Sequence, residues 1–484
     1  MSKKRISFAE IFLWFVALLL VLLVVSPIAL GFKIKNDYRS MLAEIASLTH
    51  ADIEIVSYNR GFFSSDVVLR VGVKNTPLTF QFKENIVHGP VYLGLINQGK
   101  MPFVIAVATG EMLPHTQFAA QINQLFAGKS PLVYQNIINL NGNVISEGYM
   151  PAVNAALSLD KDKVTIQTSG ITIQSEFHQQ SGKLTGDIVL PAMSMATSID
   201  NMQLQGLNLN YSGVTGQNGL LIGDSVLALK LLDYYSNGSQ LSVRTFNMRA
   251  ITSEQDQLLN SQLVLKVQEI LTSNIKIGPV DFNLKINGLN AIKIIELQDL
   301  QEESEQQVKD GIPVEQAMAE YTGKIMGLLP DLFKESEITI NPLKIDSDIG
   351  ALLADLVFSI DDLDTTALVD PLFILNSINL DINLKVDENL LPQLIRWQLA
   401  SAATVTESPS SSSSASGDGA EVSADADDTL INQMIQVLQK EGWLKRQDQS
   451  YQGNLSFHQG VMLLNGKEID PVAYFMSQMT QPAP

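Results

Sequence analysis

The sequence predicts a mostly β protein of the α+β class: a single N-terminal transmembrane helix, then long antiparallel meandering sheets with a few packed helices. Two patterns carry that expectation. Ile11 to Phe32 contains no ionisable side chain. At about 1.5 Å of rise per residue such a run reaches roughly 33 Å as a helix, enough to cross a bilayer's hydrocarbon core. Beyond it, apolar side chains recur at every second position in short segments separated by Gly, Asn and Asp, the mark of half-buried strands joined by turns.

Lys3, Lys4 and Arg5 precede the apolar run and favour an N-terminus kept in the cytoplasm. A cleaved signal peptide is the rival reading of the same segment. Ser26-Pro27-Ile28-Ala29-Leu30-Gly31 offers no A-x-A site, and Lys33 and Lys35 give the run a second charged edge. A retained anchor over residues 1–35 is therefore expected, with one pass through a bacterial inner membrane and the bulk of the chain in the periplasm. Later apolar stretches are soon broken by Asp224 and Asp355.

Charge is distributed unevenly. Residues 1–35 hold five cations against Glu10, a net of +4, which leaves −23 of the chain's −19 for the rest. A body that acidic does not seek nucleic acid or anionic headgroups by electrostatics. The absence of cysteine excludes disulfides, zinc–thiolate sites, thiol nucleophiles and a lipidated cysteine. At 484 residues the chain exceeds the size that one core usually serves.

Tyr38, Met41, Leu42, Ile45 and Leu48 follow the anchor at helical spacing. Region 36–290 then reads as strands. Ile53–Tyr58 and Val67–Val73 alternate cleanly, with Asn59-Arg60-Gly61 as a turn between them that tolerates positive φ. Further runs fall at 78–87, 103–108, 132–140, 164–167, 171–177, 183–190, 202–211, 225–231, 241–250 and 279–289. Several carry Asn, Gln, Ser or Thr on the alternate positions, one face for a core and one for water.

Region 291–403 mixes helices and strands. Helix is predicted over Ala291–Val308, and Pro313 suits the first turn of the next. There Met318, Tyr321, Ile325, Leu328 and Leu332 form one docking stripe. Strands resume at 337–345, 351–360 and 378–386, followed by a helix over 388–399. Residues 404–427 are rich in Ser and Asp with few large apolar side chains, a composition that predicts a disordered linker. Region 428–484 reads as an amphipathic helix (Leu430, Ile431, Met434, Ile435, Leu438) and a hairpin, 451–458 with 461–464, closing on the turn Asn465-Gly466.

Chemistry-bearing motifs are weak. Gly223-Asp224-Ser225-Val226 resembles the nucleophile block of GDS-type esterases, but none of His50, His88, His115, His178 and His458 has an aspartate three residues before it, so no triad is assembled. A tight turn accounts for Gly-Asp. Asp346-Ser347-Asp348-Ile349-Gly350 and Asp361-Asp362-Leu363-Asp364 lack the six or so oxygens of a calcium loop and read as solvated turns. His88, followed by Gly89-Pro90, reads as a structural imidazole capping backbone groups at a sharp turn. No catalytic residue, metal or cofactor is expected.

Tyr58-Asn59-Arg60-Gly61-Phe62-Phe63-Ser64-Ser65 resembles the "Y-x-R-G-x-F-S-S" hairpin of the YdgA-like proteins of Gram-negative bacteria. Ile86-Val87-His88-Gly89-Pro90 is similar to that family's "I-x-H-G-P" turn. Gly460 to Lys467 is similar to its closing "G-x-L-x-L-N-G-K" strand, with Met462 in place of the first Leu. The resemblance implies an inner-membrane anchor, a periplasmic body and no assigned activity. It makes Tyr58, Arg60, Gly61, Phe63, Ser64, Ser65, His88, Gly89, Pro90, Asn465 and Gly466 family-motif residues with an expected structural role. Arg60 would pair with a carboxylate, Gly61 would allow the bend, and Phe62 or Phe63 would seat the hairpin in the core.

The expected function is that of a non-enzymatic, membrane-anchored envelope protein that binds a lipid or another amphipathic ligand on an extended sheet. Long curved sheets can leave a groove lined by apolar faces, as proteins resembling the AsmA type do, an analogy of fold alone. The alternative is a scaffold or assembly factor acting on an envelope protein partner or on a second copy of itself. No nucleic-acid partner is expected.

Overall fold

The computed structural model describes residues 27, 30–31, 34–35, 38–40, 42, 51–73, 79–114, 119–159, 162–236, 238–272, 275–360, 376–396, 398 and 424–471. The run Ile11–Phe32 lies outside these apart from Pro27, Leu30 and Gly31, as do Met41, Ile45, Leu48, His50, His115, Asp361–Asp364 and residues 404–423 of the expected linker. Among the described residues no helix is long and apolar enough to cross a membrane. The body is mostly β and antiparallel, as the alternation predicted.

Two units make up the chain: Met1–Val214 with Ser225–Gly238, and Thr215–Asp224 with Ser239–Pro484. In the first, β1 (Ala51–Arg60), β2 (Ser64–Val73), β3 (Thr79–His88), β4 (Val104–Leu113), β5 (Val133–Asn139) and β6 (Val144–Met150) pair in chain order. A helix, α1 (Ala119–Phe126), interrupts them. The next hairpin, β7 (Val153–Leu159) and β8 (Asp162–Thr168), folds out, so β6 pairs instead with β9 (Ile171–His178). The fourteen-residue β10 (Lys183–Ala196) then serves two short strands along one edge. Lys183–Val189 pairs with β9 and Met193–Ala196 with β8, while β11 (Asp200–Thr215) takes the other edge. Pro191 stands in the gap between the two partners. It has no amide to give a ladder, so the change of partner comes where no bond is lost.

Strand β12 (Leu221–Ser236) has residues in both units. It contains the whole Gly223-Asp224-Ser225 block, so the expected tight turn there is corrected to regular strand. Asp224 accepts hydrogen bonds from Nε and Nη2 of Arg249 at 3.0 and 2.6 Å.

The second unit is a meander: β13 (Ser239–Gln255), β14 (Leu258–Thr272), β15 (Lys276–Asn290), β16 (Glu337–Ser347), β17 (Gly350–Ile360) and β18 (Ile378–Asp387) pair in order. Asp256 and Gln257 join β13 to β14 with φ of 51° and 69°, a primed turn that matches strand twist without the usual Asn-Gly signature. The short β19 (Lys445–Gln447) borders one end of β20 (Ser450–His458), which pairs along its length with β18 and at its far end with β21 (Val461–Leu464). Strand β22 (Lys467–Ile469) pairs in turn with β21.

Between β15 and β16 stand two helices, α2 (Ala291–Lys309) and α3 (Val314–Phe333). Asn290 caps α2, its side chain accepting from the amides of Ile292 and Lys293, and Pro313 opens α3 as predicted. Of the predicted α3 stripe, Leu332 is buried but Met318 is exposed. The helix is covered at both ends, at Ala317 as well as at Pro330 and Leu332, so its buried side is rotated away from Met318. The helix expected over 388–399 begins at Leu390, because Glu388 and Asn389 form a turn. The last helix, α4 (Ala424–Lys440), starts earlier than predicted and takes in Ala424–Asp427.

Candidate functional site

Strand β3 alternates Phe80, Phe82, Glu84, Ile86 and His88 on one face, so its period sends a carboxyl and an imidazole inward among apolar side chains. The chain before β1 covers that face. Residues 27, 30, 31, 34, 35, 38–40 and 42 are helical. Leu30, Ile34, Tyr38 and Leu42, four residues apart, pack on Val67, Leu69, Ile86, Ala106 and Ala108. The stripe predicted over 38–48 therefore begins earlier, inside the uncharged run. The i, i+4 spacing gives the helix one apolar side to lay on the apolar face of the sheet.

Two polar groups of residues lie under this helix. In the first, the phenols of Tyr38 and Tyr134 each donate to Glu84, one to each carboxyl oxygen. Glu84 is almost fully buried, and hydrogen bonding to both oxygens is what makes that tolerable. Burial, and then the adjoining Glu84, push both phenol pKa values well above the ordinary 10.0. Tyr58 packs edge-on to Tyr38 at 6.2 Å with the Lys35 ammonium 5.7 Å above its ring. Its hydroxyl has no hydrogen-bond partner among the described residues.

In the second, Ser65 Oγ lies 2.9 Å from His88 Nε2, both side chains being buried. Burial lowers the His88 pKa and Arg60 adds to the effect, while the carbonyls of Phe62 and Pro27 oppose it. Burial thus disfavours the charged imidazole. Its other face meets the helix: a β-carbon on Gly31 would lie 2.6 Å from His88 Cε1 and 3.1 Å from Arg60 Nε. Only glycine lets the helix come this close.

The pair is shaped like the start of a serine–histidine nucleophile, yet Ser65 has no exposed surface and no carboxylate among the described residues orients the imidazole. What the arrangement does is seat the helix at Gly31 against the sheet. The imidazole meets the backbone carbonyls of Phe62 and Pro27 and adds a side-chain contact with Ser65. The backbone closes around it: the His88 amide donates to Phe63 O at 2.8 Å and the Gly89 amide to Ile105 O at 2.7 Å. A β-carbon at Gly89 would collide with Val104 O. The motif residues Tyr58, Arg60, Ser65, His88, Gly89 and Pro90, drawn from two separate segments of the chain, are therefore one neighbourhood.

Three details of the motif hairpin differ from expectation. Asn59 and Arg60 belong to β1, Arg60 pairing with Ser65, so the turn is Gly61-Phe62-Phe63. Gly61 has no positive φ; it is required because a β-carbon would come within 2.8 Å of Ser64 O. Phe62 and Phe63 are not in the core. They are 55% and 53% exposed and stack edge-on at 5.2 Å, because the strands end before them and the inward positions are already filled.

Asn465 and Gly466 lie apart from this cluster, at the β21–β22 turn, with φ of 51° and 78°. Asn465 Oδ1 accepts from the Asn454 amide at 2.9 Å and its Nδ2 donates to Gly442 O at 2.6 Å. The residue ties the turn to the loop after α4. Asn465→Ala is expected to cost about 1–3 kcal/mol, since two backbone groups lose their side-chain partner, read as a lowered denaturant midpoint of the second unit.

Sequence reasoning missed Glu84, Tyr134, Tyr38's role and Gly31. The signal for Glu84 was present, as an acidic residue in phase with Phe80, Phe82 and Ile86. Among the described residues no cluster of His, Asp and Glu is arranged to hold a metal ion. His458 instead bridges Asn379 and Asp381 on the surface, and Asp348 accepts from the Lys276 amide beside the β16–β17 turn.

No curated protein and no solved structure matches the chain. A model of bacterial proteins of unknown function, DUF945, matches residues 7–472, almost its whole length. The chain belongs to that bacterial family, DUF945.

Proposed function

We propose that this chain is a membrane-tethered envelope protein that holds a lipid on the apolar face of its second unit without transforming it. The carrying observation is the register of that sheet. Reading across β14, β15, β16, β17, β18 and β20, one row is Leu263, Leu284, Ile340, Leu356, Ile382 and Leu455. The next row runs Leu265, Phe282, Leu343, Ala354, Leu384 and Gly453. Every one of these residues is partly exposed, and none is buried as a core position would be.

Among the described residues, cover is confined to the margins. Val386, with Leu352, Leu384 and Tyr451 beside it, packs under Leu390, Leu391, Ile395, Ile431 and Ile435, and α2 and α3 stand at the end of β15. Between them the two rows contain no hydrogen-bonding side chain, which suits an acyl chain and repels a polar ligand. The reverse face is polar: Gln262 donates to Asn283, Asn283 to Asn341 O, and Asn454 to Asn383. The uncharged run before Pro27 supports the tether, and the acidic body supports a ligand recognised by its apolar part.

Mass spectrometry of lipids carried by the full chain after gentle extraction is expected to find bound lipid. Ile340→Trp, which fills the middle of the face, is expected to reduce it severalfold with an unchanged circular dichroism spectrum. Absence of lipid, or an undiminished amount in the variant, would overturn the reading. A discrete protein cross-linked to the same face would favour a scaffold.

A further inference from the structure

We infer that the end of the first unit's sheet bearing Phe62 and Phe63 is a bilayer-contacting surface, seated in the interfacial layer of the membrane. The inference rests on the tethered reading and adds a second, non-covalent contact to it.

Its basis is a concentration of exposed large apolar side chains at one end of β1–β4. Two loops meet there. The β1–β2 turn presents the stacked Phe62 and Phe63. The β3–β4 connection presents Leu93, Ile96, Met101 and Phe103, each at least 54% exposed. The loops are tied together, the His88 amide to Phe63 O, and the connection is closed on itself by Tyr92 N to Pro102 O at 2.8 Å and Val104 N to Pro90 O at 3.1 Å. Leu95 is wholly buried beneath the connection, so its apolar side chains are held outward on an anchored loop.

Position names the occupant. The helix runs from Gly31, against His88 and Arg60 at this end, to Tyr38, against Glu84 further along β3. The chain thus enters the described structure at the same end that carries the six apolar residues. Immediately before Pro27 come Ile11 to Ser26, with no ionisable side chain. If those residues sit in a bilayer, the Phe62 and Met101 loops face its surface. Aromatic and long apolar side chains are the types that partition there, whereas six of them exposed to water on one edge would favour association.

The chain has no cysteine, so single spin labels can be placed without removing native residues. Full-length protein carrying Phe62→Cys, Met101→Cys or, in the second unit, Val437→Cys (50% exposed) would be reconstituted into phosphatidylethanolamine–phosphatidylglycerol vesicles. Power saturation against oxygen and a water-soluble nickel chelate then reports depth. Labels at 62 and 101 are expected to show a severalfold higher oxygen-to-nickel ratio than the label at 437. Nickel access equal to that at 437, in protein that floats with the vesicles, would overturn the inference and leave the tether standing. Protection from both reagents would also overturn it, by assigning the patch to a protein neighbour. Failure to float with vesicles would remove both readings together.

Discussion

Replacing Glu84 with alanine is expected to destabilise the first unit by about 2–6 kcal/mol. The carboxyl accepts from Tyr38 and Tyr134, and each buried phenol left without an acceptor costs roughly 1–3 kcal/mol. The measurement is a denaturant midpoint followed through the first unit's own signals. Tyr38→Phe or Tyr134→Phe alone should cost less, since Glu84 then keeps one donor and no hydroxyl is stranded. A Glu84→Ala variant as stable as the parent would mean that water satisfies both phenols and that the cluster is not closed.

The same cluster sets a pH response. The folded phenols have pKa values raised above 10.0, chiefly by burial and then by Glu84. A raised folded value adds stability that is complete below the unfolded pKa of 10.0 and is lost as pH climbs toward the folded value. The first unit should therefore hold at neutral pH and loosen only above about pH 10. Tyrosinate absorbance should lag behind that of exposed tyrosines and then rise together with loss of far-ultraviolet ellipticity. In Tyr38→Phe/Tyr134→Phe that coupled rise should disappear.

Gly31→Leu carries the second large effect. Its β-carbon alone would stand 2.7 Å from His88 Nδ1, well inside van der Waals contact, so the helix must lift or the ring must turn. Overpacking of this kind costs about 1–3 kcal/mol. The consequence goes beyond stability, because lifting the helix at Gly31 also draws Tyr38 away from Glu84. The Tyr38 phenol should then titrate nearer its ordinary 10.0. Removing the imidazole by His88→Ala should relieve much of the clash, and a double-mutant cycle would show that coupling as a favourable interaction between the two changes. Additive losses would place the strain elsewhere.

The contrast between Glu84 and Phe62–Phe63 explains what could be read in advance. Glu84 is in phase with Phe80, Phe82 and Ile86, so the period of β3 alone sends it inward. Its partners cannot be read that way, since Tyr38 and Tyr134 are 46 and 50 residues distant. Phe62 and Phe63 mislead for the opposite reason. Two adjacent aromatics near a strand suggest a core, but neighbours in a turn have no alternation to sort them, and the inward positions beneath are taken by Val67, Ile86 and the helix stripe. Local composition reports a preference for burial. It does not report whether room exists.

The amino-acid sequence by itself determined the β-rich class, most of the strand positions though not β6, β7 or β14, the helix opening at Ala291, the Asn465-Gly466 turn and the uncharged run at the N-terminus. Each depends on a period or a conformational preference spanning a few residues. Only the tertiary structure decided that β6 bypasses a hairpin to reach β9, that Gly31 nests on His88, and that rows of aliphatic side chains in the second unit stay partly uncovered. Those outcomes follow from which surfaces meet over long separations, where backbone pairing is equally good with many partners and close packing selects one.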